Sequence, residues 1–474
     1  MQAGPAIAVL GAGWAGLATA ADLAGRGFRV IVLEKRAVAG GRAYSYTDPE
    51  TGDVLDNGPH VYLGCYASTL AFLRRIGAPG AIRMGRALRI AYADRERGRY
   101  RLRCPALPSP WNLLLGLLFL RGLDPGDRVR ALAVGRRLRR TLGSDRTDLE
   151  DIPLRDWLDR LGQTAAIRRA VWDPIATAAL NEDPAAASTA VFARVFDEAF
   201  LSGARSALGL GAFGLSDVFV GPAIRYLGDR SAEVRFGSGV ARLRVGSGGV
   251  DEVELGDGAR IVADAYVSAL PPRELLAVVP DRLRSADPVF RGAAGLETSP
   301  IVSVHLWYDR PILDEPFVGL LGTRTQWIFD RWAILGPAGR GNGLSPAPEA
   351  GLSAVISAAR DCVDRPASDI IAMVQEDMAA CVPASRSARL LRARVVKERD
   401  ATLSPRPGTS RLRPGSACSL SNLVLAGDWT ATGLPGCIEG AVRSGVRAAA
   451  AAAGFLQGRL SSGAAPAQEV DAVG

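Results

Sequence analysis

Residues Ala6 to Glu34 read AIAVLGAGWAGLATAADLAGRGFRVIVLE, and the order of residue types along that stretch decides the fold. Ile7, Val9 and Leu10 make the short apolar run of a buried parallel strand, and Gly11, Gly13 and Gly16 follow at G-x-G-x-x-G spacing. Gly11 permits a tight turn, Gly13 lets the backbone approach a pyrophosphate, and Gly16 lets the next helix pack close to the sheet. Trp14 and Ala15 open that helix, Ala18, Ala21 and Leu23 continue it, and Gly27 stands at its end. A diphosphate would rest on the helix N-terminus, where free N–H groups and the dipole favour an anion. Glu34 closes the second strand eighteen positions after Gly16, where a carboxylate binds both ribose hydroxyls of an adenosine and disfavours a 2′-phosphate. Lys35, next in the chain, belongs to the same cradle. The unit is a dinucleotide-binding βαβ, so a cofactor carries the chemistry.

With 474 residues the chain has room for two or three domains, and 48% hydrophobic with 22% charged residues is a globular composition. Six cysteines (65, 104, 362, 381, 418 and 437) show neither C-x-x-C nor ligand spacing, which points to no disulfide framework and no metal, and to a reduced cytoplasmic setting. The formal charge of +8 is almost wholly arginine, because Lys35 and Lys397 are the only lysines. Two basic stretches, Arg95 to Arg103 and Arg128 to Arg140, flank PWNLLLGLLFL at Pro110 to Leu120. That segment is too short to span a bilayer. It reads either as a patch at Trp111 to Leu120 that dips into the anionic inner face of a membrane, or as a core helix. The basic stretches lack interleaved aromatics, so nucleic acid is not expected as a partner.

Gly40, Gly41 and Arg42 follow Glu34, and Asn422 to Gly445 reads NLVLAGDWTATGLPGCIEGAVRSG. The first string resembles the GG-R element by which glutathione-reductase-like flavoproteins bring an arginine to the flavin pyrophosphate; the planar fork of Arg pairs two phosphate oxygens. The second resembles the C-terminal segment of the same superfamily. The resemblance implies non-covalent FAD, with Gly427 and Asp428 at its ribityl and phosphate groups. Gly436, Cys437 and a helix starting at Ile438 would then face the pyrimidine edge of the flavin, and the helix dipole would stabilise negative charge there. It also implies that Val240 meets adenine through its backbone, and that Asn57, Gly58, Pro59 and His60 lie near the flavin face.

The expected fold class is α/β: a glutathione-reductase-like Rossmann FAD-binding domain (residues 1–80, 225–285 and 420–458) with an interleaved α+β substrate domain and helical cap (81–224 and 286–419). Residues 81–224 read as largely helical. Strand signals at Ala232–Phe236, Val240–Val245, Val250–Leu255, Ala259–Val262 and Tyr266–Leu270 suggest one antiparallel meander. Ile301–Tyr308 and Gln326–Phe329 suggest a substrate-domain floor, and 459–474 reads as a disordered tail.

Taken together, LDNGPHVYLGCY (Leu55 to Tyr66), WDPIATAALNEDPAAAS (Trp172 to Ser188), PIVSVHLWYDRPI (Pro300 to Ile312) and FVGLLGTRTQWIFDR (Phe317 to Arg331) resemble the hydroxysqualene dehydroxylase family of amine-oxidase-like flavoproteins. Pro59 stands where Gln is expected, and Gly436-Cys437 where Ala-Thr is usual. The resemblance implies reductive removal of the allylic hydroxyl of hydroxysqualene to give squalene, in isoprenoid and hopanoid lipid synthesis, with an external electron donor. A carotenoid-type desaturase, a flavin amine oxidase and a non-catalytic prenyl-lipid binder are the competing readings. The long-chain isoprenoid alcohol needs a dry tunnel, for which Trp172, Trp307 and Trp327 are candidate walls, and it needs a proton donor. His60 and Asp330 are the candidates for that donor, each with a plain alternative: a structural histidine and an ordinary ion pair with Arg331. His305, inside an apolar strand, reads as core.

Overall fold

In the computed structural model, the described residues are 4–108, 111–121, 123–141, 147–201, 207–341, 343 and 348–461. The stretch that opened the sequence forms the centre of a five-stranded parallel sheet. The strand order is 233–235, Arg29–Leu33, Ala6–Leu10, Ala265–Ser268 and Leu423–Leu425. All five residues of Ala6–Leu10 are buried, as expected of a strand covered on both faces. The helix Trp14–Gly25 covers one face together with the long C-terminal helix Ile438–Ser461, and the two cross closely at glycine. A Cβ on Gly445 would stand 2.3 Å from the Ala15 carbonyl oxygen. The C-terminal helix continues to Ser461, so it takes up residues 459–461 of the expected tail; the remainder of that tail lies outside the described residues.

Only three of the five strand signals after residue 231 form the antiparallel unit: Val240–Val245, Val250–Leu255 and Arg260–Ile261. The outer two, at 233–235 and 265–268, join the parallel sheet instead. Ala265–Ser268 is buried throughout, and a strand covered on both faces cannot sit in a small half-exposed meander.

A seven-stranded sheet builds the second layer, in the order 390–403, 298–308, 350–356, 327–330, 317–321, 89–94 and 98–103. The first basic stretch is therefore a strand hairpin rather than part of a helical region. Arg99, Arg101 and Arg103 alternate outward while Tyr100 and Leu102 point into the core. Arg99 pairs with Asp314 at 3.1 Å and Arg101 with Glu315 at 2.7 Å. A helical cap follows at 111–118, 125–141, 154–160, 165–180 and 189–201, packed around Trp157, Trp172, Phe192 and Phe196. Among the described residues, no helix is long and apolar enough to cross a membrane.

Candidate active site

The glycine turn and the loop after Glu34 lie back to back. Gly11 has φ +100°, and a Cβ on Gly16 would sit 1.9 Å from the Gly11 carbonyl oxygen, so the helix start tolerates no side chain there. A Cβ on Gly41 would come within 3.0 Å of the Gly13 Cα. Glu34 is buried, and its carboxylate accepts from the backbone N–H of Ala12 at 2.9 Å and of Arg36 at 3.0 Å. Lys35 pairs with Glu274 at 3.5 Å, and Val240 opens the strand beside it. The Trp14 ring turns into the core and stacks on Phe219 at 3.7 Å, so only its backbone faces the turn.

The two ends of the chain meet at Arg42. Its guanidinium pairs with Asp428, 386 positions away, at 2.5 Å and donates to the Ala401 carbonyl at 3.1 Å. Asn57 donates to the Arg42 carbonyl at 2.9 Å, which ties the 57–60 loop to the same place. Gly427 has φ +138° and donates its N–H to Ser444 Oγ at 2.8 Å. Gly436 packs so closely that a Cβ would lie 2.9 Å from the Leu403 nitrogen. The Cys437 thiol is pushed up to about 12 by burial and accepts from the Gly440 N–H, so it is a neutral thiol rather than a nucleophile.

Two supports of this arrangement are invisible to motif reading. Arg413 is buried inside the 428–434 loop and donates to the carbonyls of Asp428, Trp429, Thr430 and Leu434 and to Thr432 Oγ1, at 2.5 to 3.2 Å. Glu439 accepts from the N–H groups of Ser68 and Thr69 at 3.0 and 2.9 Å, capping the helix Ala67–Arg75 rather than its own. Both are ordinary charged residues in sequence, with partners set only by folding.

Beside the 57–60 loop lies a small cleft of about 40 Å³, bounded by strands 61–63 and 208–211 on one side and by 327–330, the helix 331–335 and strand 350–356 on the other. Its walls are largely apolar, with Pro59, Leu210, Leu215, Phe329 and Ile334, and its polar groups are Asp56, His60, Tyr62, Arg331 and Ser353. His60 Nδ1 lies 2.7 Å from the Gly58 carbonyl, and burial lowers the ring's pKa. A carbonyl only accepts, so Nδ1 holds the proton and Nε2 is an acceptor. Asp56 Oδ1 accepts from the Leu215 N–H at 2.9 Å and from Ser45 Oγ at 2.7 Å. Burial nevertheless raises the Asp56 carboxyl to about 6, against those bonds and the nearby Arg331 cation.

His305 is fully buried and bonded to Ser353 Oγ at 2.8 Å; burial, reinforced by Arg331, lowers it to about 3. Asp330, expected as a donor, caps the helix 331–335 by accepting from the Trp332 and Ala333 N–H groups at 3.0 and 2.9 Å, and it is not a wall of the cleft. The three tryptophans are not brought to one channel. Trp172 is in the cap core with Nε1 donating to Gln163 at 2.8 Å, and Trp327 packs against Tyr92 and Phe317. Trp307 lies beneath the cleft in a buried ionic cluster, donating to Asp53 at 2.5 Å under the Arg331 guanidinium. The buried indole N–H groups of Trp172 and Trp307 each have a partner, which holds those two rings away from one another.

The model of the flavin containing amine oxidoreductase family matches residues 14–453. The chain belongs to that family. Within it, the chain is 33% identical to hydroxysqualene dehydroxylase of Rhodopseudomonas palustris and 30% identical to that of Sinorhizobium fredii. Each match covers 93% of this chain and 96% of the relative. It is 26% identical to 15-cis-phytoene desaturase of Synechococcus elongatus, over 93% of this chain and 94% of that one. An oxidoreductase from Methanosarcina mazei shares the fold at TM-score 0.73 and 17% identity, covering 93% of this chain and 99% of that one. Putrescine oxidase shares it at TM-score 0.70 and 18% identity, over 94% and 98% of the two chains. The protein is thus a flavin-dependent oxidoreductase of the hydroxysqualene dehydroxylase kind, and FAD is its cofactor. Its own residues fit that group: the Gly13–Gly41 approach leaves room only for backbone, the buried Glu34 accepts from the Ala12 N–H in the glycine turn, and Arg42, in the loop after Glu34, is half-exposed and paired with Asp428.

Proposed function

We propose that this flavoprotein reductively removes the allylic hydroxyl of hydroxysqualene, giving squalene. The observation that carries the reading is the largely apolar cleft bordered by Pro59 and His60, on a loop whose Asn57 is bonded to Arg42. A hydrocarbon alcohol needs such a dry wall with a small number of polar groups at one place. The near full-length similarity to two hydroxysqualene dehydroxylases supports the same substrate class.

Protonation of an allylic alcohol lets water depart and leaves a delocalised cation. Reduced flavin, when bound, supplies the hydride that discharges it. The chain's own part is to hold, orient and protonate. In this reading Gly11, Gly13, Ala15 and Gly16 face the pyrophosphate through backbone, and Glu34 takes the ribose while Lys35 and Val240 flank the adenosine. Arg42 and Asp428 hold the phosphate and ribityl groups, and Gly436 to Ile438 lie at the pyrimidine edge. His60 offers Nε2 as an acceptor to the alcohol. An external donor returns electrons to the flavin.

The side chains of Leu107, Trp111, Leu118, Phe119 and Val129, on and next to the helices 111–118 and 125–141, are exposed, and in this reading they would reach a membrane-dissolved substrate. A second reading, a polyene desaturase, draws on the phytoene desaturase relatives. Anaerobic incubation of the reduced protein with hydroxysqualene separates the two. Squalene and reoxidised flavin are expected; unchanged alcohol with flavin still reduced refutes the assignment.

A further inference from the structure

The reaction just proposed requires an acid, and the geometry leaves both histidines unable to serve. His60 has its single proton bonded to Gly58, and His305 is neutral and sealed in the sheet. We infer that Asp56 is the general acid that protonates the departing hydroxyl, while His60 Nε2 accepts that hydroxyl's hydrogen and orients it. This inference rests on the reading of the reaction above.

Asp56 ends the short strand Val54–Asp56 and enters the loop that carries Asn57 to His60, so it stands on the cleft wall four positions from His60. Oδ1 is committed to two donors, Leu215 N–H and Ser45 Oγ–H, which places a carboxyl proton on Oδ2. The groups around it are Ser45 from the preceding strand, Asp217 from the 216–220 segment, His305 from the strand 298–308, which meets the Asp56 backbone and is held neutral by burial, Arg331 from the helix 331–335, and His60 and Tyr62 from its own segment. Asp217 favours the protonated form and Arg331 opposes it, and burial outweighs the cation, so the carboxyl remains partly protonated near neutral pH. The Tyr62 hydroxyl, fully buried on the same wall, has no hydrogen-bond partner among the described residues. A buried hydroxyl is seldom left unpaired, so a polar guest such as an alcohol or the water it releases belongs beside it.

The step balances. The Asp56 proton moves to the alcohol oxygen, the C–O bond breaks with both electrons on oxygen, and water leaves. The allylic carbon is reduced by the hydride already described, and solvent returns a proton to the carboxylate.

Asp56→Asn keeps an Oδ1 acceptor for Leu215 and Ser45 but carries no acidic proton. Pre-reduced wild type and variant are each mixed anaerobically with hydroxysqualene and with the matching allylic chloride, whose leaving group needs no proton. The expected result for the variant is a loss of at least about 100-fold in flavin oxidation by the alcohol, with the chloride rate held within a few-fold. Difference infrared spectra of the cofactor-free protein give an independent readout: a carboxyl band titrating near pH 6 in wild type and missing in the variant. Equal rates with the alcohol, or equal losses with both substrates, overturn the acid assignment while leaving the reaction intact. Wild type that does not react with hydroxysqualene overturns the reaction itself, and the acid's role with it. Absence of the infrared band from wild type overturns the acid alone.

Discussion

Arg413 offers a quantitative test of how the C-terminal half of the cofactor cradle is held. Its guanidinium is buried and makes five hydrogen bonds to one loop, four of them to carbonyls between Asp428 and Leu434. Arg413→Met fills a similar volume but removes every donor. Each buried carbonyl left without a partner costs about 1–3 kcal/mol, yet the loop shares its strain and relaxes, so the total is set at about 4 kcal/mol. For 474 residues the unfolding entropy is about 1 kcal/mol per degree, which makes the expected fall in Tm about 4 °C in the cofactor-free protein. The same loop presents Asp428 to Arg42, so FAD should be held more weakly. Each tenfold loss of FAD affinity removes about 1.4 kcal/mol of ligand stabilisation, or about 1.4 °C of the FAD-induced shift in Tm. Calorimetry or a fluorescence melt with and without excess FAD measures both quantities. Arg413→Lys, which keeps the charge but loses the fork, should fall between wild type and the Met variant. A Met variant that melts within 1 °C of wild type and shows an unchanged FAD shift would refute the reasoning.

Gly445→Ala should cost about 2–4 kcal/mol, read as a lower Tm and reduced flavin content, because its Cβ would meet the Ala15 carbonyl at 2.3 Å; a neutral effect would show that the helices slide apart freely. Nitrogen NMR of the two histidines should find His305 neutral at pH 5, since its pKa is lowered to about 3, and His60 titrating below a free imidazole. The sign follows: His305 contributes stability above the free imidazole pKa that is lost progressively as pH falls toward 3, so an imidazolium signal for it in folded protein at pH 5 contradicts the burial argument. Asp56 runs the other way. Its raised pKa makes ionisation above about pH 6 destabilising, so Asp56→Asn should melt at or above wild type at pH 8 and lose that advantage toward pH 4; the opposite trend counts against a buried carboxyl. Trp111→Ser with Phe119→Ser, at side chains 63% and 71% exposed, should cut binding to anionic vesicles at least about 10-fold without changing Tm, and undiminished binding would locate the membrane contact elsewhere.

How much of the site was legible depended on how local its cause was. The glycine turn was readable because Gly11 and Gly16 answer a steric demand made within six residues. Glu34 was readable for the same reason, its partner Ala12 being on the neighbouring strand's turn. The resemblance that drew attention to both Arg42 and Asp428 named the correct two ends of the chain, and folding set them 2.5 Å apart. The arginines from Arg95 to Arg103 were misread as part of a helical region because their spacing was taken as charge rather than as the period of two that defines a strand.

The sequence by itself determined the parallel sheet at the N-terminus and its dinucleotide site, since these rest on backbone space and spacing within short segments, while the flavin and the family were implied by the resemblance of blocks spread along the chain. Only tertiary structure decided which group in the cleft keeps a proton. The charge on Asp56 depends on Leu215, Arg331 and the apolar walls, brought together from distant parts of the chain, and the Trp307 indole finds its partner in Asp53, 254 positions away. Steric fit is a property of neighbours in sequence, whereas desolvation is a property of everything that surrounds a group once the chain has folded.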